Sequence, residues 1–201
     1  MLHPEWFRNI ALLMSLALLG ACASARPVME WQDEAFSGEI DSLLVIAVVE
    51  DEALRRSVED AYVDKFSERA LTATPGYLLL PDIEVLSRET VEAAIADLEI
   101  DAVMVTRLIG VEEVEQYNPP AYYDYYDRYF FYTVPSTSEG YYTRFTLLKL
   151  ETNLYDTASA KLVWSLQSES MESPAPEDVI KGQVELTVER LAARGLIAPA
   201  Q

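Results

Sequence analysis

The sequence predicts an α/β fold: a mixed sheet with a β-α-β-α-β parallel core, completed by a C-terminal antiparallel hairpin and a final helix. Three observations predict it. The run from Leu43 to Val49 is apolar throughout and rich in Val and Ile, the pattern of a strand buried on both faces. Two stretches with helical spacing of apolar residues separate that run from the next two strand-like segments. From Leu148 onward the period changes to strict alternation, as in a strand with one buried face.

Element by element, Glu50-Asp51 ends the first strand, and Glu52 to about Leu71 repeats Leu54, Val58, Ala61, Tyr62 and Phe66 at helical spacing, with acidic residues in the first turn. Pro75-Gly76 breaks the chain, and Tyr77 to Leu80 reads as a second short strand. Ser87 is an N-cap for a second helix that carries Val91, Ala94, Ile95 and Leu98 on one face. A third strand starts at Ala102 and runs through Thr106 as far as Val114. Right-handed crossovers place these three strands in spatial order 2-1-3. Leu148, Leu150, Thr152 and Leu154 alternate with Lys149, Glu151 and Asn153, and Leu162, Trp164 and Leu166 with Val163, Ser165 and Gln167, around the turn Asp156-Thr157-Ala158-Ser159, a hairpin expected at the sheet edge. Pro176, followed by Glu177 and Asp178, opens the final helix; Ile180, Val184, Val188 and Leu191 form its face, and Gly195 stops it.

The N-terminus reads as an address. Arg8, an apolar run from Ile10 to Leu19 and the small pair Gly20-Ala21 make residues 1–21 a secretory signal, too short to stay as a membrane span. Leu19-Gly20-Ala21-Cys22 resembles the lipobox of bacterial lipoproteins, and the resemblance implies that Cys22 becomes the acylated first residue, carrying palmitate and holding the chain to a membrane. The alternative is a plain secreted protein whose one cysteine falls beside the cleavage site. Ala23, where Asp would imply inner-membrane retention in such lipoproteins, implies the outer membrane, with the domain facing the periplasm. Residues 22–40 lack a sustained period and read as a flexible tether; residues 41–198 form a single α/β domain.

Charge and composition exclude more than they suggest. The 201 residues carry a formal net charge of −19, a field that repels nucleic-acid phosphates. The chain has one His and one Cys, both within the first 22 positions, so zinc, Ser-His-Asp and Cys-His chemistry lack their ligands in the mature domain. No disulfide can form within one mature chain. The first crossover turn is Glu50-Asp51-Glu52, negative where a nucleotide phosphate would sit, so no nucleotide cofactor is expected. Paired carboxylates such as Glu112-Glu113, or Asp124 with Asp127, read as solvated surface, and Asp124, Asp127 and Glu139 lack a calcium-loop pattern; no metal is expected.

The segment 117–142 holds nine of the twelve Tyr, together with Phe130, Phe131 and three prolines. Three readings stand: an exposed aromatic loop for a protein or glycan partner, a strand connection whose rings cover apolar surface, or a low-complexity disordered loop. On the first, the contact residues are Tyr122, Tyr123, Tyr125, Tyr126, Tyr129, Phe130 and Phe131. Arg128 is the loop's one basic residue, which disfavours an anionic partner.

The lipobox, the β-α-β-α-β half and the hairpin Glu151-Thr152-Asn153-Leu154-Tyr155-Asp156 … Leu162-Val163-Trp164 together resemble a group of uncharacterised bacterial envelope lipoproteins. Their domain is similar in architecture to the N-terminal domain of the Tol-system periplasmic protein and to the curli secretion lipoprotein. This resemblance implies a membrane-anchored lipoprotein with a non-enzymatic binding or structural role, working with an envelope protein partner. It carries no catalytic residues across. The alternative is a carboxylate-dependent hydrolase of envelope glycans. Self-association through the exposed hairpin edge is a third expectation.

Overall fold

The computed structural model describes residues 25–81, 86–119 and 140–199. Its strands are β1 (Ala25–Gln32), β2 (Ser42–Val48), β3 (Thr72–Pro75), β4 (Ala102–Asn118), β5 (Tyr141–Asp156) and β6 (Lys161–Met171), and its helices α1 (Glu52–Ser67), α2 (Arg88–Ile95) and α3 (Pro176–Ala193). One six-stranded sheet has the order β1-β6-β5-β4-β2-β3. The trio β3-β2-β4 is parallel, in the expected 2-1-3 order, and β5, β6 and β1 are added antiparallel.

Alternation along β2 divides the core in two. Leu43 and Val45 pack under α1 and α3 with Tyr62, Phe66, Met104, Leu154, Trp164, Leu166, Val188 and Leu191. Leu44 and Ile46 face the other way, beneath α2 with Val91, Ala94, Ile95, Val103 and Val105. A strand apolar at every position is what this two-sided burial requires. Helix ends follow the local signals. Ser87 caps α2 in a reciprocal pair with Thr90. Gly195, at φ +70°, ends α3, with its N–H bonded to the Ala192 carbonyl and the Leu196 N–H to that of Leu191. That double bond is the Schellman arrangement, and it folds Leu196 back into the core.

Four expectations are corrected. Residues 25–32, assigned to the tether, form β1, which runs antiparallel beside β6; its alternation is hidden by a register shift between Pro27 and Met29. Consequently the hairpin β5–β6 lies inside the sheet and its outer strand is covered. The second strand is Thr72–Pro75, and Gly76–Leu78 is a single 3-10 turn. Gly76 is required there because a Cβ would come within 2.8 Å of the Val45 carbonyl. Finally, β4 runs on to Asn118 and pairs with Tyr141 at the start of β5, a ladder with one register shift between Leu108 and Gly110, whose outer part the charged residues Glu112, Glu113 and Glu115 conceal from a hydrophobicity reading.

Glu30 ties β1 to the rest. It accepts hydrogen bonds from Trp164 Nε1 at 3.0 Å and from Arg194 Nε and Nη2, both at 3.0 Å, with Arg190 at 3.6 Å. The Arg194 hydrogen bonds hold its carboxyl below the usual value of 4.5, against an opposing push from burial. A carboxyl depressed in the fold stabilises fully above its unfolded pKa, and that contribution is lost as pH falls through the lower folded value. Glu30→Gln is therefore expected to flatten the acid limb of a stability-against-pH curve below about pH 4.5 while lowering stability at pH 7, read as urea midpoints across the pH series.

Candidate functional site

Helices α1 and α3 lie on one face of the sheet, with Tyr62 of α1 bonded to Thr187 of α3 and with Leu54 and Pro176 near their N-terminal ends. Between those ends lies a cleft of 620 Å³, within the usual range for ligand sites. Leu54 and Val58 of α1 form one wall, Pro176, Val179 and Ile180 of α3 the other, and Leu108, Leu148 and Leu150 of β4 and β5 the base. Glu50, Asp51, Arg107, Glu172 and Ser173 border it. The opening lies past the C-terminal end of β2, beside Arg107, where the β2–β4 pairing ends.

Beneath the cleft runs a buried polar chain. The Tyr62 hydroxyl meets Thr187 Oγ1 at 3.1 Å, and Thr106 and Thr152 meet hydroxyl to hydroxyl at 3.1 Å across the β4–β5 ladder. Gln183 joins the two pairs: its Nε2 donates to Thr152 and Thr187, and its Oε1 accepts from Ser168 at 2.7 Å. Burial pushes the Tyr62 phenol up from its usual range, so it stays neutral and serves as a hydrogen-bonding group. Among the described residues no buried side-chain nitrogen or oxygen lacks a partner, so this floor offers a ligand no unsatisfied donor. The walls and base of the cleft thus present mainly apolar surface.

A second buried polar group supports the cleft from behind. Arg55 and Glu59, one helical turn apart on α1, form an ion pair at 3.0 Å with both side chains almost wholly enclosed. Glu59 accepts from the backbone N–H of Ala47 and of Tyr77, at 3.0 and 2.7 Å, while Arg55 donates to the Leu80 carbonyl at 2.8 Å. The pair thus fastens the end of β2 and the chain after β3 to α1. Sequence reading placed the buried face of α1 at Leu54, Val58, Ala61, Tyr62 and Phe66; the buried row is Arg55, Glu59, Tyr62 and Phe66. The available signal was a complementary pair spaced i, i+4 in line with Tyr62 and Phe66, and its charge made it read as solvated surface.

The residues named from the sequence fare as follows. Cys22 and the loop residues Tyr122, Tyr123, Tyr125, Tyr126, Tyr129, Phe130 and Phe131 lie outside the described residues, as do Asp124, Asp127 and Glu139. The loop's flanks, Tyr117, Tyr141 and Tyr142, are described and exposed at the far end of the β4–β5 ladder, with the rings of Tyr117 and Tyr142 5.1 Å apart. Glu112 and Glu113 point to opposite faces of β4; Glu112 pairs with Lys149 at 2.6 Å, which holds its carboxyl below the usual range. Asp51 caps α1, accepting from the Leu54 N–H at 2.7 Å, so a carboxylate fills the position a phosphate would take. Among the described residues no cluster of three or more His, Cys, Asp or Glu could hold a metal ion. Among the same residues, no helix is long and apolar enough to cross a membrane.

No family model and no curated protein matches the chain. Solved structures with a similar fold include the PelC dodecamer from Paraburkholderia phytofirmans, at 10% identity and TM-score 0.44, covering 80% of this chain and 94% of that one. Another is lipoprotein GNA1162 from Neisseria meningitidis, at 13% identity and TM-score 0.42, covering 76% and 98% respectively.

Proposed function

We propose that this chain is a bacterial envelope lipoprotein, acylated at Cys22, facing the periplasm from the outer membrane, with a non-enzymatic binding role exercised through the cleft between α1 and α3. The observation that carries the reading is the order Ile10–Leu19 apolar run, Gly20-Ala21, then the chain's single cysteine. The two or three acyl chains of a lipoprotein bury enough methylenes, at about 0.8 kcal/mol each, for lasting attachment. The cleft supports a binding role: apolar walls over a floor whose hydrogen bonds are already made suit an apolar segment of an envelope partner.

The test is labelling with radioactive palmitate and fractionation of the wild type beside Cys22→Ser. Label is expected in the wild type alone, with the serine variant shifted from the membrane to the soluble fraction. Unlabelled wild type, or a serine variant that stays with the membrane, overturns the reading. Release of reducing ends from peptidoglycan by the purified chain would favour the hydrolase instead.

A further inference from the structure

The strand register sets the level of Ala25 in the sheet. Ala25, the first residue of β1, pairs with Ser170; Ser170 pairs with Leu148, and Leu148 with Val111. Past that level the sheet narrows to two strands. β2 last pairs with β4 at Arg107, and β6 last pairs with β5 at Leu147, yet β4 and β5 continue together to Asn118 and Tyr141. The result is a two-stranded arm that projects from the end of the sheet at which Ala25 lies.

Such an arm is ill suited to water by itself. An isolated hairpin is marginally stable, and both of its edges present unpaired backbone groups. Exposed apolar and aromatic residues occur along the arm as they do on the body, where Val28, Met29 and Leu78 are exposed. Val111 is exposed at its base, and Tyr117, Tyr141 and Tyr142 at its end, the last two by 66% and 68%. Between base and end, Glu115 pairs with Arg144, and Glu112 with Lys149, so part of its charge is neutralised within the arm.

Length decides what the arm meets. From Glu112 to Asn118 the strand reaches about 24 Å beyond the level of Ala25 at the usual rise per residue. Cys22 lies three residues before Ala25, and that stretch of chain extends at most about 10 Å. A domain held by an acyl group at Cys22 has no slack to keep the arm clear of the bilayer on that side. We infer that the β4–β5 arm lies against the membrane, with Tyr117, Tyr141 and Tyr142 in the headgroup region of the leaflet that holds the anchor. Tyr belongs in that region, where its ring meets acyl chains and its hydroxyl meets water. Because the chain's net charge is −19, the surface it suits is a zwitterionic one. The inference rests on acylation at Cys22.

The full lipidated chain, reconstituted in phosphatidylcholine vesicles, tests it. Cys22 is the chain's single cysteine and is blocked by its lipid, so a cysteine introduced elsewhere takes a nitroxide label alone. Labels go at Tyr142→Cys, at Tyr141→Cys as a second arm site, and at Ala158→Cys, an exposed position in the β5–β6 turn at the opposite end. The ratio of relaxation by lipid-soluble oxygen to relaxation by a water-soluble nickel complex is expected to be severalfold higher at both arm sites than at position 158. Ratios on the arm equal to that at 158 overturn the inference. So does a dipolar coupling between arm labels of two copies with both labels in water, which would mark arm-to-arm pairing. The N-terminal peptide mass and co-flotation with the vesicles report the anchor separately: with the anchor present and the arm in water, the arm inference alone fails, and without the anchor both readings fall.

Discussion

Glu59→Ala is expected to destabilise the domain by about 3–5 kcal/mol, because it strands a buried cation. Arg55 is 2% exposed and cannot turn to water without leaving the Leu80 carbonyl, while the N–H groups of Ala47 and Tyr77 lose their acceptor together. A loss this large is a sizeable share of the 5–15 kcal/mol typical of a whole domain, at about that order. The urea midpoint should fall accordingly with little change in slope. A double variant, Arg55→Met with Glu59→Leu, separates the two contributions. It removes the stranded charge but leaves the backbone groups of residues 47, 77 and 80 unpaired, at a cost of about 1–3 kcal/mol for each group kept from water. A double variant more stable than Glu59→Ala would assign the larger cost to the stranded charge, and one no more stable would assign it to the unpaired backbone groups. A Glu59→Ala midpoint within experimental error of the wild type would show that the pair is not enclosed as described.

Trp164→Ala carries the next largest expected effect. Trp164 is fully buried on β6 between the sheet and α3, and its Nε1–H is one of the donors that hold Glu30. Truncation opens a large void and costs about 3–5 kcal/mol. For a domain of this size each kcal/mol lowers Tm by about 2–4 °C, so a fall of roughly 6–20 °C is expected. Trp164→Phe should lose less, since the ring partly fills the space and only the hydrogen bond is gone. Circular dichroism melts of the three proteins give the comparison. Equal melting temperatures for wild type and alanine variant would contradict the packing of β6 under α3.

Several elements were legible because their cause is local. The all-apolar run at Leu43–Val49 has the pattern of a strand with two covered faces, and the structure buries Leu43 to Ala47 completely or nearly so, while Val48 is exposed and Val49 lies past the strand end. Ser87, Pro176 and Gly195 each carry a backbone constraint within one residue or its nearest turn, and each marks the helix end expected of it. Other features were hidden for an equally definite reason. β1 carries Pro27 and a register shift, both tolerated at a sheet edge, where the missing N–H faces outward. The cleft was hidden because its walls come from α1, α3, β4 and β5, and its polar floor from residues as distant as Thr106 and Gln183.

The amino-acid sequence alone determined the order and type of the core elements, since hydrophobic period and capping act over a few residues. It also determined the absence of imidazole and thiol after position 22. Tertiary structure alone decided that Arg55 and Glu59 are interior, that residues 25–32 pair with a strand more than 130 positions away, and that Ala25 and the β4–β5 arm share one end of the sheet. The physical reason is common to all three. Whether a charge can be buried, or an edge strand held, depends on partners that long-range folding brings alongside, and local patterning does not encode them.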